Sequence, residues 1–191
     1  ERVREFVRRM GSLIDNTIDR VRNNVGEIAL QLRPDRLQSA IEQVAMVFEE
    51  GADIELADDI SALPEIWFDR VLIEQVFANL VENSIKYSIG RARIQFSAKA
   101  GNRHVEVLVR DWGIGIIPDE RDQVFSESTR GRNVGQRSGS GLGLYIVNAI
   151  IRAHGGRVTV EDTDGSGTTV KVVLPFRPPS QGISHNMNSQ Q

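Results

Sequence analysis

The sequence contains no cysteine. That removes disulfides, thiolate zinc sites and cysteine nucleophiles. It also fits a reducing compartment, so the cytoplasm is the expected location. No apolar run approaches the roughly 20 residues needed to cross a bilayer, and no secretory signal is visible. Charge of one sign is lacking too. The formal net charge of −3 leaves no basic footprint of the kind a nucleic-acid binder needs. The largest basic cluster, Arg130-Gly131-Arg132, suits a small anion better than a duplex. There is no internal repeat and no initiator methionine. The chain opens on Glu1 and is expected to be a piece of a longer protein, which leaves membrane anchoring of that protein open.

What is there suffices for one well-buried core: 191 residues, 40% of them hydrophobic, predict one domain plus an appendage. The appendage is at the start. Over residues 1–26, Val3, Phe6, Val7, Met10, Leu13, Ile14, Ile18, Val21 and Val25 recur at spacings of three and four, which predicts a helix with one apolar stripe. Such a stripe must pack against something: another chain, a segment outside this sequence, or its own domain. At the other end, residues 178–191 are Pro, Ser, Gln and Asn with almost no apolar content. They bury too little to offset ordering entropy, and disorder is expected.

Between these ends helices and strands are mixed. A strand is predicted over Glu27 to Leu32, then a helix opened by Pro34-Asp35, where a missing N–H costs nothing, and stopped by Gly51. Strands are predicted at Ile54 to Leu56, Glu65 to Phe68, Arg93 to Ala98 and His104 to Arg110, the last by its strict alternation. Leu142 to Ala153 reads as a helix. Arg157 to Glu161 and Thr168 to Leu174 read as a closing hairpin turned at Asp164-Gly165-Ser166-Gly167. The expected fold is α+β, a two-layer sandwich with helices on one face of a mixed sheet.

The strongest helix is residues 70–87, and it carries two stripes. Ile73, Val76, Phe77, Leu80 and Ser84 form one, apolar except at its end. Gln75, Asn79, Glu82, Asn83 and Lys86 form a polar edge, since residues three and four apart are neighbours on a helix. Asparagine is a middling helix former, so two of them one turn apart call for a reason. One is chemical: magnesium takes hard oxygen ligands and is shared with phosphates, and Lys86 can reach a phosphate. The other is a solvated polar face with a Glu82–Lys86 pair of little worth.

Two glycine loops follow. Asp111-Trp112-Gly113-Ile114-Gly115 leaves a strand directly, and its glycines allow a sharp turn close to a ligand. Asp111 either caps that turn or accepts from an exocyclic amino group such as that of adenine. Gly139-Ser140-Gly141-Leu142-Gly143-Leu144 precedes a helix, which makes either an anion site or a hinge. No Gly-Lys-Ser/Thr follows, and the third glycine comes too early for a dinucleotide fingerprint. Residues 126–141 hold one apolar side chain, Val134. A loop of that length in a compact domain is functional or mobile, and a lid over a nucleotide is expected, with Arg130 lending charge to phosphates.

Asn79-Leu80-Val81-Glu82-Asn83-Ser84-Ile85-Lys86-Tyr87, Asp111-Trp112-Gly113-Ile114-Gly115-Ile116, Val124-Phe125, Gly139-Ser140-Gly141-Leu142-Gly143-Leu144 and Gly167-Thr168-Thr169 occur in this order. Together they resemble the asparagine box, first glycine box, phenylalanine box, second glycine box and last glycine motif of sensor histidine kinases. Ala153-His154-Gly155-Gly156 resembles another stretch common there. The resemblance covers roughly residues 27–177 and implies the GHKL-type ATP-binding fold. It implies that Asn79 and Asn83 hold magnesium and phosphates, that Lys86 meets phosphate, and that Tyr87 packs near the nucleotide. Asp111 would read adenine, with Gly113 and Gly115 making room. Gly139, Gly141, Leu142 and Gly143 would shape the lid end, and Ile116 and Thr168 fall within the same cofactor-binding set. Asn79, Lys86 and Arg130 are the residues expected to act in catalysis.

The same resemblance makes residues 1–26 the second helix of a dimerisation and phosphotransfer hairpin, and residues 27–177 the catalytic domain. The implied partners are ATP, Mg2+, an acceptor hairpin, a response regulator and a second copy of the whole protein. The acceptor histidine is expected elsewhere, because His104, His154 and His185 are not flanked like one. Two positions depart from the family pattern. Ser128 stands where a second aromatic is usual, which would weaken lid closure, and Ser84 replaces an alanine. Hydrolytic relatives usually place a glutamate at the first asparagine position. Asn79 does not titrate and cannot act as a general base, which favours transfer over hydrolysis. A slow ATPase through Glu82 and a non-catalytic nucleotide sensor are the alternatives.

Overall fold

The computed structural model describes residues 28–126, 142–161 and 167–177. The expected N-terminal helix, the C-terminal tail, most of the lid loop with Ser128, Arg130, Gly139 and Gly141, and the turn residues Asp164 to Ser166 lie outside them.

Seven strands and three α-helices make up the described part. Strand β1 (Arg33–Asp35) is followed by α1 (Leu37–Phe48), β2 (Ala52–Leu56) and β3 (Ile66–Phe68). Helix α2 (Arg70–Tyr87) leads to β4 (Ala92–Ala100) and β5 (His104–Asp111). Helix α3 (Gly143–Ala153) precedes the final pair, β6 (Arg157–Glu161) and β7 (Thr169–Pro175). The five-stranded sheet has the order β2-β4-β5-β7-β6. β2 runs parallel to β4, and the other pairs are antiparallel. This is the mixed sheet the sequence predicts, closed by the expected β6–β7 hairpin, with Glu161 opposite Thr169 and Arg157 opposite Val173.

Period-two burial decides which face is covered. Ile94 and Phe96 on β4, Val105, Val107 and Val109 on β5, and Val170, Val172 and Leu174 on β7 are buried. They share one core with Leu37 and Ile41 of α1, Ile73, Phe77 and Leu80 of α2, and Ile146 and Ile150 of α3. Phe77 and Phe96 meet edge to face, ring centroids 5.8 Å apart, and burying one such side chain stabilises by about 1.5–3 kcal/mol. The alternate residues carry charge across the uncovered face. Lys99 pairs with Glu106 at 3.2 Å and Lys171 with Glu161 at 2.8 Å. All three helices therefore lie on one side, as a two-layer α+β sandwich requires. Among the described residues no helix is long and apolar enough to cross a membrane.

The expected start of the domain shifts. Residues 28–32 form no strand; the strand is Arg33–Asp35, and it pairs with β3 rather than with the main sheet. Pro34 lies inside that strand, opposite Trp67, and α1 begins only at Leu37. Proline pushes the residue before it towards extended backbone, and an edge strand tolerates its missing N–H. Gln31 gives its N–H to the Asp69 carboxylate at 2.9 Å instead of to a ladder.

Asp69 fixes where α2 starts. Its Oδ1 caps the helix by accepting the Leu72 N–H at 3.2 Å, as an N-cap carboxylate should. Its own N–H donates to His154 Nε2 at 3.0 Å. Since that backbone group can only donate, Nε2 is the acceptor, and Nδ1–H donates to Ile150 O at 2.8 Å. His154 is fully buried and burial pushes its pKa below the ordinary value, against the opposing pull of the Ile150 bond and the Asp69 charge. This neutral imidazole ties the end of α3 to the start of α2, in keeping with a structural role. Because α2 carries the polar edge, the same tie positions the candidate site.

Candidate functional site

The polar edge of α2 is buried at Gln75 and Asn79 and opens towards Glu82. Asn79 is 6% exposed, Asn83 is half-buried, and Gln75 is fully buried. Among the described residues the Nδ2 atoms of Asn79 and Asn83 have no hydrogen-bond partner, and Glu82 and Lys86 form no ion pair. Lys86 instead lies with its ammonium 4.9 Å from the centre of the Tyr87 ring, close enough for a cation–π contact. Glu82 exposes more surface, yet enough protein surrounds its carboxyl that desolvation raises its pKa.

The start of α3 meets this edge. A Cβ placed on Gly143 would lie 3.6 Å from Asn79 Oδ1 and 3.6 Å from Asn83 Nδ2, so the bare glycine keeps room beside both carboxamides. Leu142 forms the N-cap of α3 and packs against the core. The first N–H groups of a helix have no partner within it and carry partial positive charge, which suits an anion. Among the described residues no cluster of histidine or carboxylates could hold a metal alone. Carboxamide oxygens beside a helix end suited to an anion fit a magnesium ion that takes its remaining ligands from phosphates and water. The unpaired amides and the open space at Gly143 fit that group.

Asp111 ends β5 on the side of the sheet that faces α2. Its Oδ1 accepts the Gly113 N–H at 2.8 Å and the Thr168 N–H at 3.1 Å, and its Oδ2 accepts from Ser84 Oγ at 3.2 Å. Burial raises its pKa above the ordinary carboxylate value, while these three bonds pull it down. Asp111 does cap its own turn, and Oδ2 still has a lone pair to accept a ligand N–H.

The turn after Asp111 is crowded. Ile114 donates its N–H to Tyr87 O at 3.1 Å, and a Cβ on Gly113 would stand 2.8 Å from that oxygen. Only glycine fits there. Gly167 has φ 101°, and a Cβ on it would strike Asp111 O; its place brings Thr168 against Asp111. Gly115 lies at the same turn with φ 73°, and Ile116 packs against the core. The structure thus brings together Asn79, Asn83, Gly143 and Leu142 on one side, and Asp111, Gly113, Gly115, Tyr87 and Thr168 on the other. Arg130, Gly139 and Gly141 lie outside the described residues. Val124 and Phe125, from the phenylalanine box, are core residues.

Two side chains were not legible as part of the site. Ser84 reads as a minor change at the end of an apolar stripe, but it reaches Asp111. Gln75 reads only as one member of a polar edge, but it is buried.

Residues 68–178 match the family described as histidine kinase-, DNA gyrase B-, and HSP90-like ATPase. The sensor-like histidine kinase SenX3 of Mycobacterium tuberculosis is 35% identical over 131 residues, 68% of this chain and 32% of SenX3. The chain therefore spans about a third of that relative's length. Among solved structures, a mycobacterial sensor histidine kinase MprB is 28% identical with a TM-score of 0.68, covering 77% of this chain and 100% of that one. Full-length ShkA in complex with AMPPNP is 28% identical with a TM-score of 0.71, covering 88% of this chain and 36% of ShkA.

Proposed function

Because the chain belongs to the histidine kinase-, DNA gyrase B- and HSP90-like ATPase family, and within it resembles the catalytic domain of sensor histidine kinases, we propose that it binds Mg-ATP and transfers the terminal phosphoryl group to a histidine. That histidine stands on a separate dimerisation and phosphotransfer hairpin. The observation that carries this reading is the pair of carboxamides of Asn79 and Asn83, whose buried Nδ2 atoms have no partner among the described residues, beside the first residue of α3.

In this reading Asp111 Oδ2 accepts from the adenine amino group, and Gly113, Gly115, Ile116 and Thr168 form the wall around the base. Tyr87 packs near the nucleotide. Asn79 and Asn83 would hold magnesium through their side-chain oxygens, with Lys86, Arg130 and the Gly139, Gly141, Leu142 and Gly143 end of the lid loop as the residues that would hold the phosphates. Magnesium bound there would neutralise charge on the phosphates. The protein's part is positioning and electrostatic stabilisation. An imidazole nitrogen attacks the γ-phosphorus in line, the bond to the β-phosphate oxygen breaks, and ADP leaves. Asn79 cannot take a proton from water, which favours transfer. The further partners are a response regulator and a second copy of the whole protein, with residues 1–26 as half of the hairpin. The cytoplasm is the proposed location.

Slow hydrolysis is the second reading, favoured by Glu82, a carboxyl on the same edge of the helix as Asn79. Mixing the chain with an acceptor-bearing hairpin and γ-labelled ATP tests both. Acid-labile label on the hairpin is expected. Phosphate release without label would replace transfer by hydrolysis, and nucleotide binding with neither would leave a sensor.

A further inference from the structure

Gln75 lies on α2 one turn before Asn79, and only 1% of its surface is exposed. Among the described residues neither its Oε1 nor its Nε2 has a hydrogen-bond partner. Asn79 Nδ2, also buried, has none either. A buried amide that makes no hydrogen bond has left water and gained nothing in return. Methionine or leucine would fill much the same space without that cost. Buried polar groups without partners are rare enough that each needs a reason.

Residues four apart on a helix are neighbours, and glutamine and asparagine at that spacing can bond to each other. A bond from Asn79 Nδ2–H to Gln75 Oε1 would satisfy an orphan atom on each residue. It would also decide which way the Asn79 amide faces. A carboxamide is nearly symmetric in shape, but only its oxygen can bind a cation. Asn79 Oδ1 is the atom beside Gly143, and Nδ2 is the buried one.

We propose that Gln75 is a positioning residue for the phosphate site: Gln75 Oε1 and Asn79 Nδ2 are unbonded among the described residues, and on loading Gln75 Oε1 takes up the Asn79 N–H from behind, so that the Asn79 oxygen is left to face the ligand. This rests on the assignment of Asn79 as a magnesium and phosphate ligand under the proposed function. Partners standing behind a metal ligand commonly govern its orientation and much of its affinity.

Gln75→Met keeps the volume and removes both polar atoms. The probe is a non-hydrolysable ATP analogue, titrated calorimetrically into the full chain with and without magnesium. The affinity gained on adding magnesium is expected to fall about tenfold in Gln75→Met, while affinity without magnesium changes less than about twofold. The melting midpoint of the unliganded chain is expected to hold or rise, because two unsatisfied groups are gone. Gln75→Glu keeps an acceptor oxygen and is expected to recover most of the magnesium-dependent gain. In the wild-type chain, the Asn79 side-chain amide signals should move downfield when magnesium and the analogue are added together. A lower melting midpoint with an undiminished magnesium gain in Gln75→Met would reduce Gln75 to packing and overturn the proposal, as would solvent-like Asn79 amide signals in the loaded wild type. No magnesium gain in the wild-type chain is a different failure, since it removes Asn79 as a ligand and the proposal with it.

Discussion

Ser84 Oγ donates to Asp111 Oδ2 at 3.2 Å, joining α2 to the end of β5. The same hydroxyl lies 3.0 Å from Leu80 O, and the two acceptors share its one hydrogen. Asp111 is thus held from three directions, with Gly113 and Thr168 N–H groups on its other oxygen. An aspartate fixed this way presents one defined lone pair to a ligand.

That geometry predicts the outcome of Asp111→Asn. Two backbone N–H groups hold the position of Oδ1, so the amide oxygen takes that place and the NH2 takes the place of Oδ2. In the proposed nucleotide complex a donor would then meet the adenine amino group. ATP affinity should fall roughly 10- to 100-fold, the range for losing a hydrogen bond to a charged group. The preference for ATP over GTP should shrink with it. Paired titrations with ATP and GTP check both.

His154 predicts a pH dependence of stability. Its folded pKa is lowered from the ordinary 6.5, so the unfolded chain takes up a proton first as pH falls. The contribution is fully present above pH 6.5 and is lost as pH drops towards the lower folded value. Melting curves between neutral pH and pH 5 should show this slope, and His154→Leu should flatten it. The same variant leaves the Asp69 N–H without its acceptor and should cost about 1–3 kcal/mol at neutral pH.

Gly167→Ala should damage the fold and the site together. The backbone there has φ 101°, and the added methyl would run into Asp111 O. Strain of this kind costs on the order of 1–3 kcal/mol, and relieving it moves Thr168 away from Asp111. Urea unfolding should report the lost stability, and weaker ATP binding should accompany it.

Much of this was legible in the sequence because period and spacing carry it. The two stripes on residues 70–87 place α2, and strict alternation places β5. What escaped depends on contacts between distant segments. Pro34 at the head of a hydrophobic stretch reads as a helix start, and only pairing with Trp67 makes it a strand residue. Ser84 and Asp111 are 27 residues apart, and nothing local announces their bond. Gln75 shares the spacing of the polar edge, so periodicity alone could not separate a solvent-facing amide from a buried one. The motif residues of the first glycine box were legible by type. The way Thr168 and Gly167 close on Asp111 was not.

Calorimetric titration of ATP into the wild-type chain and into Asn83→Ala, each with and without magnesium, tests the carboxamide site most directly. The wild-type chain should bind ATP much more tightly with magnesium than without it. Asn83→Ala should lose that magnesium-dependent gain, because the oxygen proposed to hold the metal is gone. Equal affinities for the two proteins in the presence of magnesium would contradict the assignment of Asn83 as a ligand and the placement of the phosphates at the start of α3.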